Sequence, residues 1–220
     1  MREYESISSL KLFEGCPRCY WLKYEVGLED TPNPNLLIGS QVHKAIERYH
    51  KHLLPDELVD MADRLYRVYT ENVAEDEIDV LEQRFLVGLE NIATGEQLPV
   101  LFKGIIDGVN TKHGWVHEHK TSSNYWKPDD VAIDIQATGY AYGYYKLYGK
   151  LPVGIRFNIL KKNKIKCKYQ PLETYRIYED LVYFFNWAKR LLEEIKTSEF
   201  EPKQTRFNSH HRACPYAKQV

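Results

Sequence analysis

The chain has 220 residues, 43% of them hydrophobic, and a formal net charge of -1, which suits one domain with a sizeable core. Near-neutral charge excludes a globally basic nucleic-acid binder, so contact with a polyanion must use local patches. No apolar run approaches the roughly 20 residues of a membrane span, no signal peptide opens the chain, and four cysteines, two as Cys16-Pro-Arg-Cys19, read as metal ligands or free thiols of a reducing compartment. An intracellular, cytoplasmic enzyme with no membrane partner is expected.

Ser6 to Glu14 carries serines suited to helix capping, then Leu10 and Phe13 at helical spacing. Cys16 to Tyr24 follows as a Cys-x-x-Cys knuckle and aromatic run, and Thr31 to Asn35 reads as a loop. Residues 36–54 are expected to form a helix with a buried stripe of Ile38, Val42, Ala45, Tyr49 and Leu53. His43 and Glu47 lie four apart on a neighbouring face. Leu58 to Val73 is a second helix, striped by Leu58, Met61, Leu65, Val68 and Tyr69. Val80 to Leu89 and Pro99 to Asn110 are strands. Residues 128–148 are helical, with Gln136 and Tyr140 on one face. Val153 to Lys161 is an apolar strand, Lys164 to Tyr169 a lysine-rich partner, and Leu181 to Ile195 stripes a last helix. The tail, residues 200–220, is irregular and carries His210, His211 and Cys214. This order predicts a single α/β domain over 1–220, with a central mixed sheet flanked by helices.

The chemistry concentrates in residues 99–121. Read with a period of two, Lys103 to Thr121 is a β-hairpin turning at Lys112-His113, with Gly114 just after. That register places Asp107 opposite Glu118, and Ile105 opposite Lys120. Opposed side chains have Cβ atoms only about 4.5–5.5 Å apart, and two carboxylates so close repel unless a cation lies between them. A divalent metal would serve, with Lys120 one step along the same face. Phosphodiester hydrolysis needs that set: a metal to activate water, carboxylates to hold it, and a cation to stabilise the phosphorane. The plainer alternative is a solvated hairpin with a cross-strand Glu–Lys pair.

His117-Glu118-His119 could also suggest zinc, but on a strand the two imidazoles point away from Glu118 and lack a third ligand. They read as polar residues on the other sheet face. His43 is either a further metal ligand or a polar neighbour of Glu47. The run Lys161, Lys162, Lys164, Lys166 and Lys168 either tracks a phosphate backbone or is merely solvated. Trp21, Tyr24, Tyr125 and Trp126 either stack on bases or pack at the core edge.

In this order, the motifs SSLKLFEGCPRCYWLKY, GSQVHKAIE, GIIDGV, EHK, QATGY and GIRFNILKK resemble the RecB-like branch of the PD-(D/E)xK nuclease superfamily, which includes CRISPR-associated and phage exonucleases. GSQVHKAIE looks like that family's G-x-x-x-H-x-x-x-E helix, Asp107 its aspartate, Glu118 and Lys120 its E-x-K, and Gln136 with Tyr140 its Q-x-x-x-Y helix. The resemblance implies a restriction-endonuclease-like core. It implies magnesium or manganese held by His43, Asp107, Glu118 and the backbone carbonyl of His119. Lys120 would serve the attacking water, while Glu47, Gln136 and Tyr140 would hold the substrate or brace the site. The implied activity is a metal-dependent DNA nuclease, an exonuclease on DNA ends or single strands, with replication, recombination or CRISPR proteins as partners in a prokaryotic or phage-infected cell. The rival readings are a non-catalytic DNA-binding or assembly subunit that keeps the fold, and a zinc-stabilised structural module.

One feature departs from the pattern. Many RecB-like nucleases hold an iron–sulfur cluster with one early cysteine and three late ones in a C-x2-C-x5-C spacing. Here Cys16 matches the first and Cys214 the middle of the late three, whereas His211 and Val220 fill the other places, and valine cannot ligate. Cys16, Cys19, His211 and Cys214 could instead hold a tetrahedral zinc or a histidine-ligated cluster, or no metal at all.

Overall fold

The structure, a computed structural model, describes residues 2–30 and 33–201. The described residues divide into two compact units, one built from those within 1–32, 86–104 and 179–201, the other from residues 33–85 and 105–178. Two strands, β2 (Val80–Glu90) and β3 (Gln97–Asn110), run through both.

In the first unit a short strand, β1 (Tyr4–Ser6), pairs in parallel with Leu101 to Lys103 of β3. Ser6 then caps α1 (Ile7–Gly15), its hydroxyl accepting from the Ser9 N–H at 3.1 Å while Ser9 Oγ accepts from the Ser6 N–H at 2.8 Å. This reciprocal cap satisfies two amides that a helix start leaves open. Leu10 and Phe13 are buried, as their spacing predicts. The knuckle and aromatic run are in fact a second helix, α2 (Pro17–Tyr24), with Cys16 as its cap and Pro17 in the first turn. There a missing N–H costs nothing. Cys16 and Cys19 are buried in an apolar cluster with Leu22. The final helix, α7 (Tyr178–Thr197), buries Leu181, Phe184, Ala188, Leu191 and Ile195, the stripe that its 3.6-residue period dictates.

The second unit carries α3 (Pro34–His50), α4 (Asp60–Thr70), β4 (Trp115–Ser122), α5 (Pro128–Ala132), α6 (Ile135–Tyr148), β5 (Gly154–Lys161) and β6 (Lys168–Thr174). The six strands form one mixed sheet ordered β1-β3-β4-β5-β6, with β2 paired to β3. The β3–β4 pair is antiparallel, β4–β5 parallel and β5–β6 antiparallel. Between the parallel strands the chain crosses through α5 and α6, as a parallel pair requires. Helices α3 and α4 pack together over Val42, Ile46, Ala62, Leu65 and Tyr69, with Leu160 of β5 in the same cluster.

Several boundaries differ from expectation for local reasons. Helix α3 stops at His50, because His52 adopts a φ of 56° and Leu53 N–H turns back to the Arg48 carbonyl at 2.9 Å. Leu53 is therefore half exposed and not part of the stripe. The expected helix over 128–148 is two helices. Asp134 leaves the helix to cap α6, accepting from Gln136 N–H at 2.6 Å. The buried Arg176 guanidinium satisfies the carbonyls of Val131 and Asp134 at the break. The last hairpin strand begins at Lys168 instead of Lys164. The Asn163 side chain accepts from the N–H groups of Ile165 and Lys166, closing an Asx-type turn that removes 163–167 from the ladder. Among the described residues no helix is long and apolar enough to cross a membrane.

Candidate active site

The hairpin places the central pair. Its observed register is Asn110 with Trp115, Val109 with Val116 and Gly108 with His117, so Asp107 and Glu118 come next in opposition. Gly114, at φ 72°, lets the four-residue turn close onto the Asn110 carbonyl at 2.7 Å. Beyond Gly108 the ladder gives way, because Asp107 Oδ2 accepts the His119 N–H at 2.8 Å. A carboxylate thereby replaces a backbone carbonyl, and its orientation is fixed by main chain.

Glu118 is buried. Its Oε1 accepts from Gln136 Nε2 at 3.0 Å and forms a close ion pair with Lys120 Nζ. Lys120 Nζ also donates to Gln136 Oε1 at 2.9 Å, and Gln136 Nε2 reaches the Tyr140 hydroxyl at 2.7 Å. Gln136 thus ties strand to helix, and Tyr140, one turn on, braces it. Glu118 Oε2 is buried with no hydrogen-bond partner. An orphaned buried carboxylate oxygen is costly unless a cation or donor meets it.

From α3, His43 Nδ1 lies 3.6 Å from Asp107 Oδ2. Burial lowers the His43 pKa, with Lys120 adding to the effect and Glu118 and the His119 backbone opposing it. The imidazole is thus neutral near pH 7 and free to act as a nitrogen ligand. Burial drives Asp107 well above the ordinary carboxylate range, and the Glu118 charge pushes it further; the His119 N–H and Lys120 offset only part of this. Burial pulls the Lys120 ammonium down, but Glu118 and Asp107 outweigh it and hold its pKa above the usual value. Burial and then the same two carboxylates raise Tyr140, which stays a neutral phenol.

A cavity of about 550 Å³ opens beside these groups, lined among others by Gly39, His43, Glu47, Glu82, Thr121 and Lys162. Glu47 pairs with Lys51 at 2.5 Å. Glu82 had no signal in the sequence, where VLEQRF reads as plain strand. It sits at φ 50°, a region that residues other than glycine rarely adopt. Burial raises its pKa, with Glu47 and Glu118 contributing, so a third carboxylate shares the field of the central pair. His117 and His119 do face away from Glu118. Both are buried, and Asn158 Nδ2 lies 3.4 and 3.2 Å from their Nδ1 atoms.

The donor chemistry fits a hard divalent cation. Asp107 offers carboxylate oxygens 3.6 Å from a neutral imidazole, and across the hairpin Glu118 keeps a buried carboxylate oxygen without a hydrogen-bond partner. Among the described residues no group of three or more histidine, cysteine, aspartate or glutamate side chains is drawn together closely enough to hold a metal ion. At the other candidate centre Cys16 and Cys19 lie in apolar packing, while His211 and Cys214 fall outside the described residues.

The architecture and this carboxylate–lysine hairpin together define a PD-(D/E)XK core, and comparison with known proteins agrees. The model of the PD-(D/E)XK nuclease superfamily matches residues 5–219, and the chain belongs to that superfamily, whose members generally use divalent metal ions. Among solved structures it is similar to a "putative exonuclease" from Eubacterium rectale, at 18% identity and a TM-score of 0.64, covering 96% of this chain and 88% of that one. It is also similar to the protein SSO0001, at 16% identity and a TM-score of 0.50, covering 100% of this chain and 87% of that one. No curated protein matches.

Proposed function

We propose that the protein is a magnesium- or manganese-dependent DNA nuclease of the RecB-like type, acting as an exonuclease on DNA ends or single strands. The observation that carries this reading is the opposed Asp107–Glu118 pair, with Glu118 buried and its Oε2 unpartnered beside the Lys120 ammonium. The sequence motifs and the "putative exonuclease" among the similar structures support the finer assignment.

His43, Asp107, Glu118 and the His119 carbonyl would hold the ion, which when bound acidifies water and offsets phosphate charge. The His119 N–H fixes the Asp107 carboxylate in place. Lys120, held by Gln136 and Glu118, presents a positive charge to the attacking water and to the oxygens of the phosphorane. Gln136 keeps Lys120 and Glu118 in register, with Tyr140 behind it. Glu47 and Glu82 line the cavity with His43 and would add negative charge beside a bound ion.

Linear and covalently closed circular DNA of one sequence, incubated with magnesium, test the exonuclease assignment. Linear DNA is expected to be degraded to short products and the closed circle spared. Linearised circles would establish an endonuclease instead.

A further inference from the structure

We propose that Tyr125, Lys161 and Lys168 form a platform that binds single-stranded nucleic acid on the catalytic face of the sheet. This rests on the nuclease reading and deepens it by naming the strand state of the substrate.

The register places these residues. Glu118 pairs with Phe157, Lys120 with Ile159 and Ser122 with Lys161 across β4 and β5. Lys161 pairs in turn with Lys168 across β5 and β6. Paired residues project from the same face and faces alternate along a strand, so Lys161 and Lys168 share the face of Glu118 and Lys120. At about 3.3 Å per residue and 4.8 Å between strands, Lys161 lies about 8 Å from Lys120 along the backbone frame. That is a short step for a polynucleotide.

Two lysines directly opposite each other repel, and among the described residues neither has a carboxylate partner. The whole run 161–168 shares this feature, since none of Lys162, Lys164 and Lys166 pairs with a carboxylate either. Elsewhere Lys23, Lys51 and Lys189 each find one. The opposed ammonium groups instead flank an aromatic face: Lys161 Nζ lies 4.4 Å and Lys168 Nζ 5.9 Å from the centroid of the Tyr125 ring. The neighbouring Trp126 packs on Phe157, and its backbone is held from both sides by the Gln170 amide. Tyr125 is 52% exposed on that anchored segment. An exposed ring with two uncompensated cations offers a stacking surface and phosphate contacts together, the combination that single strands use. Inside duplex DNA the bases are already stacked, and only the terminal pairs keep a free face for the ring.

The test is binding without cleavage, by fluorescence polarisation in EDTA with a short mixed-sequence single strand and a blunt duplex of the same length. Tyr125→Ala is expected to weaken single-strand binding by about tenfold and duplex binding far less, while Tyr125→Phe, which keeps the ring, restores single-strand binding. Lys161→Ala with Lys168→Ala should flatten the log–log salt slope for the single strand by about 1.4. Equal losses on single strand and duplex, or no loss on either, would overturn the platform. So would competition by a polyglutamate peptide as effective as that by the oligonucleotide, which would point to an acidic protein partner. Because no metal is present, a protein that binds as expected but never cleaves would refute the nuclease reading and leave the platform standing.

Discussion

Lys120→Ala is expected to lower DNA cleavage by roughly 10²–10⁴-fold while leaving divalent-ion binding intact. Asp107→Ala and Glu118→Ala are expected to abolish cleavage and weaken ion binding together. The separation follows from what each side chain touches. Lys120 contributes a positive charge aimed past Glu118, held by Gln136 at 2.9 Å, and none of its atoms is a cation ligand. Asp107 and Glu118 supply the oxygens, and removing either relieves the repulsion that a cation would otherwise relieve. Metal titration calorimetry of the three variants beside cleavage assays reads both quantities. An Asp107→Ala protein with full activity would exclude this site from the chemistry. Folding should survive in all three, because loss of one carboxylate of a repelling pair removes a strain on the metal-free protein.

The second large effect concerns acid. His50, His117 and His119 are buried neutral histidines of the second unit. Burial pushes His117 down to about 3, with Arg156 and His50 adding to it, and drives His119 well below its usual value, with His43 and His117 adding. His50 is lowered by burial against the opposing pull of the Glu75 carbonyl. Folded values below the unfolded value of about 6.5 mean that the unfolded chain takes up protons first. The histidine contribution is therefore complete above about pH 6.5 and is lost as pH falls toward the folded values, at about 1.4 kcal/mol per pH unit for each histidine. Asp107 works in the opposite direction, since its raised pKa favours the folded state at low pH and that benefit fades as pH rises. His43 is lowered as well and Glu82 raised, so four histidines stand against two carboxyls, and the melting temperature should fall between about pH 6.5 and about pH 4.5. His117→Gln should flatten that fall. A melting temperature constant across this range, or one that rises on acidification, would show that these imidazoles are not held neutral in the fold.

The hairpin was legible because its information is local. Alternation, a glycine at the turn and one register are enough to oppose Asp107 and Glu118, and the observed pairs follow that register. The stripes of α3, α4 and α7 were legible for the same reason, apart from Leu53 at a helix end decided by backbone turns and Leu58, which precedes α4. Strand β1 was not, because three residues with a partner nearly a hundred positions away carry no periodic signal. The break between α5 and α6 depends on Arg176, far along the chain, capturing two carbonyls. Glu82 depends on a left-handed backbone inside a strand, which no spacing announces. Tyr125, Lys161 and Lys168 were each visible as candidates, but only the β5–β6 register places the two lysines against one ring.

The central claim is that the Asp107–Glu118–Lys120 hairpin performs metal-dependent phosphodiester hydrolysis. Its most direct test is end-labelled single- and double-stranded DNA incubated with the native protein and with Glu118→Gln, in magnesium, in manganese and in EDTA. The account predicts shortened products only with native protein and a divalent ion, and none from Glu118→Gln. Cleavage that persists in EDTA or in the Glu118→Gln protein, or intact DNA with native protein and either metal, would contradict it.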